Sequence, residues 1–290
     1  MSAAADALDH VGIAATDLGA LAAQWEKLGF CLTPLARHSG RRTPDGPVVP
    51  FGTGNRCVML REGYLELIAI VDPGAFSNTL DRFLARYAGI HILALSIEDE
   101  AANLARLRRA GIDIPGVAYL ERPVDDADPD GPKARFVRLP LPDPAEGRIQ
   151  LIRHLTREAI WQERFMTHPN RAVALSEVVL AVAAPAETGA RFSVLAGRPL
   201  VPDPAGGYAL ALPRGRVRIL PAAALEAVFP AVTIPCLPFI AGITLRTDDN
   251  NAAAARLLAE RAIAHRAVPG GVLVDPSASG GVAIRFVGQG

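Results

Sequence analysis

The chain has 290 residues, half of them hydrophobic, and its 30 basic side chains are balanced by 30 acidic ones. That balance gives no pull toward nucleic acid or an anionic membrane, and the length suits one large or two ordinary domains. Three cysteines, Cys31, Cys57 and Cys236, odd in number and without CxxC spacing, argue against a disulfide framework and a thiolate zinc site.

The opening residues lack a basic, then apolar, leader, and the most apolar stretch, 172–186, is interrupted by Glu177. The expectation is a cytoplasmic protein with a small-molecule partner, contacting neither membrane nor nucleic acid, and either a monomer or a homodimer. Along the chain, DHVGIAATDLGALAAQWEKLGF reads as a strand at 11–15 and Asp17 as a helix cap. Leu18, Leu21, Ala22, Trp25 and Leu28 follow at helical spacing, with Gly29 as the stop. The same grammar returns in IHILALSIEDEAANLARLRRAGI, in SEVVLAVAAPAETGARFSVLAG and in AGITLRTDDNNAAAARLLAERAI.

Each opening is answered downstream by a short strand after a glycine: GYLELIAI, GRIQLIRH, GRVRILPA and GGVAIRFV. Aligning them pairs His10 with Glu66, His91 with Gln150, Glu177 with Arg218 and Ala241 with Ala283. The separations are 56, 59, 41 and 42 residues, and the gaps to the next opening are 25, 27 and 23. Such regularity marks four copies of one strand-helix-strands unit, an α+β chain in which the first two copies carry longer loops. The expected division is an N-terminal pair over 1–154, a connector over 155–172 and a degenerate C-terminal pair over 173–290.

Glu66 sits at the centre of an otherwise apolar strand, where an unpaired carboxylate must find a proton, a cation or hydrogen-bond donors. The equivalent positions of the first two units hold His10, Glu66, His91 and Gln150, all able to ligate a metal. Two imidazoles and a carboxylate suit Fe²⁺, Mn²⁺, Co²⁺, Ni²⁺ or Zn²⁺. In the third unit Glu177 and Arg218 read as an ion pair filling the corresponding space, and in the fourth the alanines read as packing.

Paired units opening with LDHVGIAATDL and closing with GYLELIAI resemble the vicinal oxygen chelate superfamily, which includes glyoxalase I and type I extradiol dioxygenases. His38, the FGTGN of 51–55, YLELIAI and the HPN of 168–170 resemble, more narrowly, the bacterial glyoxalase-like domain proteins. The resemblance implies βαβββ modules whose curved sheets pair into a cup around a divalent metal, with ligands at His10, Glu66, His91 and Gln150. It also implies chemistry on a substrate with two neighbouring oxygens. The chain departs from the pattern in two ways: Gln150 stands where such enzymes usually place a second carboxylate, and Glu177, Ala241 and Ala283 preclude a conventional extradiol site in the second half.

The leading expectation is a metal-dependent lyase or isomerase of glyoxalase type, with Glu66 alternating between metal ligand and general base and His38 beside it. His38 and the loop arginines Arg37, Arg41 and Arg42 would hold an acidic substrate tail. Gly52, Thr53 and Asn55 of FGTGN offer backbone N–H groups and an amide, and His168 and Asn170 form a connector turn that can reach the site. One alternative is an Fe²⁺-dependent dioxygenase using the same three ligands. Another is a non-catalytic module that sequesters a small molecule in the cup.

Overall fold

The computed structural model describes residues 3–42 and 46–288. The first module is β1 (Ala7–Ala15), α1 (Leu18–Lys27), β2 (Ala36–Arg41), β3 (Val48–Met59) and β4 (Tyr64–Ile70), followed by the short α2 (Leu80–Leu84). The second is β5 (Gly89–Ser96), α3 (Glu100–Arg109), β6 (Ala118–Pro123), β7 (Lys133–Leu139) and β8 (Arg148–His154). Two single-turn helices, α4 (Arg157–Ile160) and α5 (Glu163–Met166), carry the chain across. The third module is β9 (Ala172–Val182), α6 (Pro185–Ala196), β10 (Leu200–Pro202), β11 (Tyr208–Ala211) and β12 (Arg216–Pro221), with α7 (Leu225–Val228) after it. The fourth is β13 (Phe239–Thr247), α8 (Ala252–Glu260), β14 (His265–Val268), β15 (Gly271–Val274) and β16 (Ala283–Val287).

Each module repeats one sheet order, with its first strand parallel to its last and the two middle strands continuing outward antiparallel. First strands pair antiparallel, β1 with β5 and β9 with β13, so each half is a continuous curled sheet; the pairing of Ile240 with Ile90 and the isolated bridges of Ala7 with Arg214 and Glu62 with Ala174 join the halves. The four predicted repeats are therefore present as α+β modules in two pairs. No helix among the described residues is long and apolar enough to cross a membrane.

The helices form where the caps and apolar spacing demand. Asp17 and Asp99, both in extended backbone, accept from the amides of Ala20 and Ala102 at 3.0 and 2.8 Å, satisfying two of the unpaired first-turn N–H groups. Helix α1 buries Leu18, Leu21, Ala22 and Trp25 and ends before Gly29, whose φ of +86° is one a side chain disfavours. Its docking crosses the molecule: Trp25 is fully buried and donates through its indole N–H to the Ser279 carbonyl, and Phe30 stacks with Phe286 of β16. Removing such a ring costs about 3–5 kcal/mol.

The connector turn is an anchor for this helix. Asn170 donates to the Leu28 carbonyl at 2.9 Å and accepts from the Ala172 amide, while His168 bonds the Cys31 amide and the Met59 carbonyl. Both side chains are buried and fully engaged, so the expectation that they reach a substrate is corrected. A turn that leaves one sheet and enters the next must satisfy its own backbone and the helix end it covers.

Candidate functional site

A cavity of about 180 Å³ opens inside the N-terminal half, walled by both of its modules. On the first-module side it is lined by His10 of β1, His38 and Arg41 of β2, Asn55 of β3, and Tyr64 and Glu66 of β4. On the second-module side Ile92, Arg122, Arg138, Arg148, Gln150 and His154 face it. Alternation along β8 turns 148, 150, 152 and 154 inward together.

The answer to Glu66 lies in its own module. Its Oε1 accepts from the Asn55 amide at 2.5 Å and stands 3.5 Å from His38 Nε2. Burial pushes this carboxyl up, but the His38 hydrogen bond and charge, the nearby His10 and the Asn55 amide outweigh it and hold it at about 2. The other nitrogen of His38 meets Thr53 Oγ1 at 2.9 Å, so both of its ring nitrogens are engaged.

His10 is organised differently. Its Nδ1 lies 2.7 Å from Oδ1 of the buried Asp9, and the same oxygen meets His154 Nε2 at 3.1 Å. Burial raises the Asp9 carboxyl, while His154 and His10 pull it further the other way, so the group stays ionised. With Nδ1 committed to a carboxylate and the ring stacked on Tyr64 at 4.3 Å, Nε2 of His10 has no hydrogen-bond partner among the described residues and belongs to the cavity wall.

His91 is a correction. Strands β1 and β5 slip register between Gly12 and Ile13, where Ile92 and Ile90 are the partners and His91 is the bulged residue. The bulge turns its ring out of the cup and between Phe83 and Tyr87, at 5.1 and 4.0 Å, with Nε2 on the Tyr87 carbonyl at 2.9 Å. Burial lowers this imidazole to about 4, so it is neutral. The residue matching His10 is Ile92: Ile92 pairs with Arg148 and Ala94 with Gln150, just as His10 pairs with Tyr64 and Gly12 with Glu66.

The fourth unit needs the same adjustment. Ala241 occupies a matching bulge between β9 and β13, and the strict equivalents of Ile92 and Gln150 are Gly242 and Arg285, where Thr244 pairs with Arg285. In the third unit Glu177 is held by Arg216 at 2.6 Å and Thr244 at 3.0 Å, and Arg218 makes a two-pronged pair with Asp203 at 2.7 Å. Glu177 and Arg218 are themselves 3.8 Å apart, so the expected ion pair is part of a larger network.

The loop expectations divide. Arg41 lines the cavity. Arg37 instead pairs with Asp126 at 3.2 Å, and Arg42 lies over the Phe76 ring at 4.7 Å. Gly52 does not offer its N–H to a ligand; that group donates to Phe76, and a Cβ there would stand 2.4 Å from the Asp72 carbonyl. Thr53 and Asn55 act through His38 and Glu66.

The donor set does not match the expected metal cage. His10, Glu66 and Gln150 share the cavity, but an isoleucine replaces the second imidazole, and among the described residues no three His, Cys, Asp or Glu side chains are grouped to hold a metal ion. Zinc sites of the catalytic type and the non-haem iron triad each need three such protein ligands.

Beyond the residues expected from sequence, the cavity wall holds His154, Arg122, Arg138 and Arg148, and Asp9 stands behind His10. Asp9 and the alternating Arg148 and His154 were visible as the neighbour of His10 and the strand-mates of Gln150. Arg138 depends on the β7–β8 register, which sequence does not reveal.

A profile of the glyoxalase-like domain matches residues 8–195. The chain belongs to the glyoxalase-like domain family of the vicinal oxygen chelate superfamily. No curated protein matches it in sequence. Among solved structures it is similar to a hypothetical protein from Staphylococcus aureus, at 13% identity and TM-score 0.64 over 97% of this chain and 99% of that one. It is also similar to a mutant 4-hydroxymandelate synthase from Streptomyces coelicolor, at 14% identity and TM-score 0.60 over 98% and 93%. A fusion of a xylose isomerase-like TIM barrel with a 4-hydroxyphenylpyruvate dioxygenase matches at 16% identity and TM-score 0.53, over 98% of this chain and 49% of the fusion. At these identities the likeness is one of fold.

Proposed function

We propose that the protein is an enzyme of glyoxalase type that moves a proton on a small oxygenated molecule held in the N-terminal cup, with the C-terminal pair of modules as support. The observation that carries this reading is the Asp9–His10 pair: a buried, ionised carboxylate fixes Nδ1 of an imidazole whose Nε2 belongs to the cavity wall. Such an imidazole is suited to general acid-base work.

In this reading His10 Nε2 takes the proton from a carbon beside a substrate carbonyl. The C–H electron pair moves into an enediolate, and the imidazolium returns the proton to the neighbouring carbon or oxygen. Asp9 stabilises the imidazolium, and the charge of Arg122, another group of the cavity wall, acts on Tyr64, the ring stacked on His10. Glu66, held near 2, is too weak a base to be the first acceptor at neutral pH. It serves instead as the fixed anion that orients His38. Ile92 stands where the second imidazole of a His–His–Glu triad would be, so the residues present favour acid-base chemistry by His10 over a metal-assisted or iron-dioxygenase route.

The test is solvent exchange. Incubation in D₂O with 2-oxo and 2-hydroxycarbonyl compounds, followed by NMR, should reveal deuterium at the carbon beside the carbonyl, and His10→Gln should slow it by about 10²–10⁴-fold. Exchange unaffected by His10→Gln, or absent across the panel, overturns the reading; absence with ligand binding retained favours the sequestering module.

A further inference from the structure

The cup holds more positive charge than it neutralises. Arg41, Arg122, Arg138 and Arg148 line it, against Glu66 and Glu121. Glu66 is already bonded by Asn55 and faced by His38, and Glu121 is paired with Arg135 at 2.5 Å. Arg148 is held by the Asn78 carbonyl and Thr79 Oγ1 at 2.9 and 2.6 Å, with Asp143 3.6 Å away.

Arg138 is the exception. Its guanidinium has no hydrogen-bond or ion-pair partner among the described residues, and its buried Nε is unsatisfied. Burial and the neighbouring Arg148 both disfavour its charge, with only Asp143 acting the other way. A guanidinium that cannot discharge, set into a wall beside another, is costly without an anion.

The cavity geometry indicates where that anion would lie. Arg138, Arg148, Asn78 and Gln150 line the main cavity and also a second one of about 230 Å³ at the β7–β8 connection. These four polar side chains therefore form a shared wall, while the His10 and Glu66 side of the main cavity lies on the first module. The remaining lining between them includes Ile68, Ile92, Phe136 and Ile152.

We propose that Arg138, backed by Arg148, is a carboxylate-binding subsite, so that the substrate of the cup is a small organic acid. Its carboxylate docks on the second-module wall, its apolar body crosses Ile92 and Phe136, and its proton-bearing carbon beside the carbonyl faces His10. This rests on the reading of the cup as the reacting site. It moves the acid-binding role from Arg37 and Arg42, which are engaged elsewhere, to a planar fork suited to a carboxylate.

Matched acid and amide probes test it by calorimetry: benzoate against benzamide, and phenylacetate against phenylacetamide. The acid of at least one pair is expected to bind tenfold or more tighter than its amide. Arg138→Gln should remove that preference, leave amide affinity unchanged and, having lost an unpaired buried charge, melt no lower than the parent. Arg138→Lys, charged but without the fork, should retain only part of it. The proposal is overturned if no pair favours the acid, or if Arg138→Gln keeps the preference. His10→Gln separates the two readings, since acid binding should survive in it: binding that depends on Arg138 without any His10-dependent exchange leaves the subsite and removes the reaction. Exchange on neutral carbonyls indifferent to Arg138 does the reverse.

Discussion

Ile92 stands in the second module where His10 stands in the first, each two residues ahead of the strand position that pairs with the closing Gln150 or Glu66. One branched hydrocarbon thus separates strand positions 10, 66 and 92 from the two-histidine, one-carboxylate triad expected of them. Replacing it, Ile92→His, is expected to add the missing ligand beside His10 and Glu66 and to raise affinity for Ni²⁺ or Zn²⁺ at least tenfold over the parent in calorimetric titration. Unchanged affinity would show that the three positions do not converge.

His91, bulged out of the cup, acts on stability. Its folded-state value of about 4 lies below the ordinary 6.5, so between these pH values the unfolded chain binds a proton that the native protein does not. Stability is full above pH 6.5 and falls as pH drops toward 4, by about 3 kcal/mol in all. His91→Leu should flatten denaturant-derived stability across that window, cost about 1–3 kcal/mol at pH 7 through the unpaired Tyr87 carbonyl, and leave exchange activity intact. A fall in activity to the level of His10→Gln would return His91 to the site.

Asn170 is likewise structural. Asn170→Ala unpairs the Leu28 carbonyl and the Ala172 amide and should cost about 1–3 kcal/mol, visible as a lower melting temperature, with turnover per folded molecule unchanged. A raised KM at parental stability would place it against the substrate instead.

The repeats, the helix caps at Asp17 and Asp99 and the inward Glu66 were legible because apolar period and glycine punctuation are local signals. What failed was a matter of one residue. A bulge at His91 shifts the opening strand by one, and a one-residue slip reverses which side chains face the cup. The HPN turn carried polar residues that sequence could not assign between ligand and backbone, since both uses need the same chemistry. Arg138 was hidden for a third reason, because pairing of β7 with β8 decides its direction.

Glu66 gives the acid-side signature of the cup. Its carboxyl, ordinarily near 4.5, sits at about 2 in the folded protein, so the native state stays ionised where the unfolded chain has taken up a proton. Its contribution is complete above pH 4.5 and is lost as pH falls toward 2, amounting to about 3 kcal/mol. Glu66→Gln should remove that part of the acid transition, so the stability difference between parent and variant shrinks steadily from pH 4.5 downward. Because His91 titrates higher and packs between Phe83 and Tyr87, outside the cup that holds Glu66, the two effects are expected to add in the double variant to within about 0.5 kcal/mol. An acid transition of Glu66→Gln that superimposes on the parent would mean that Asn55 and His38 do not hold the carboxylate as the geometry requires.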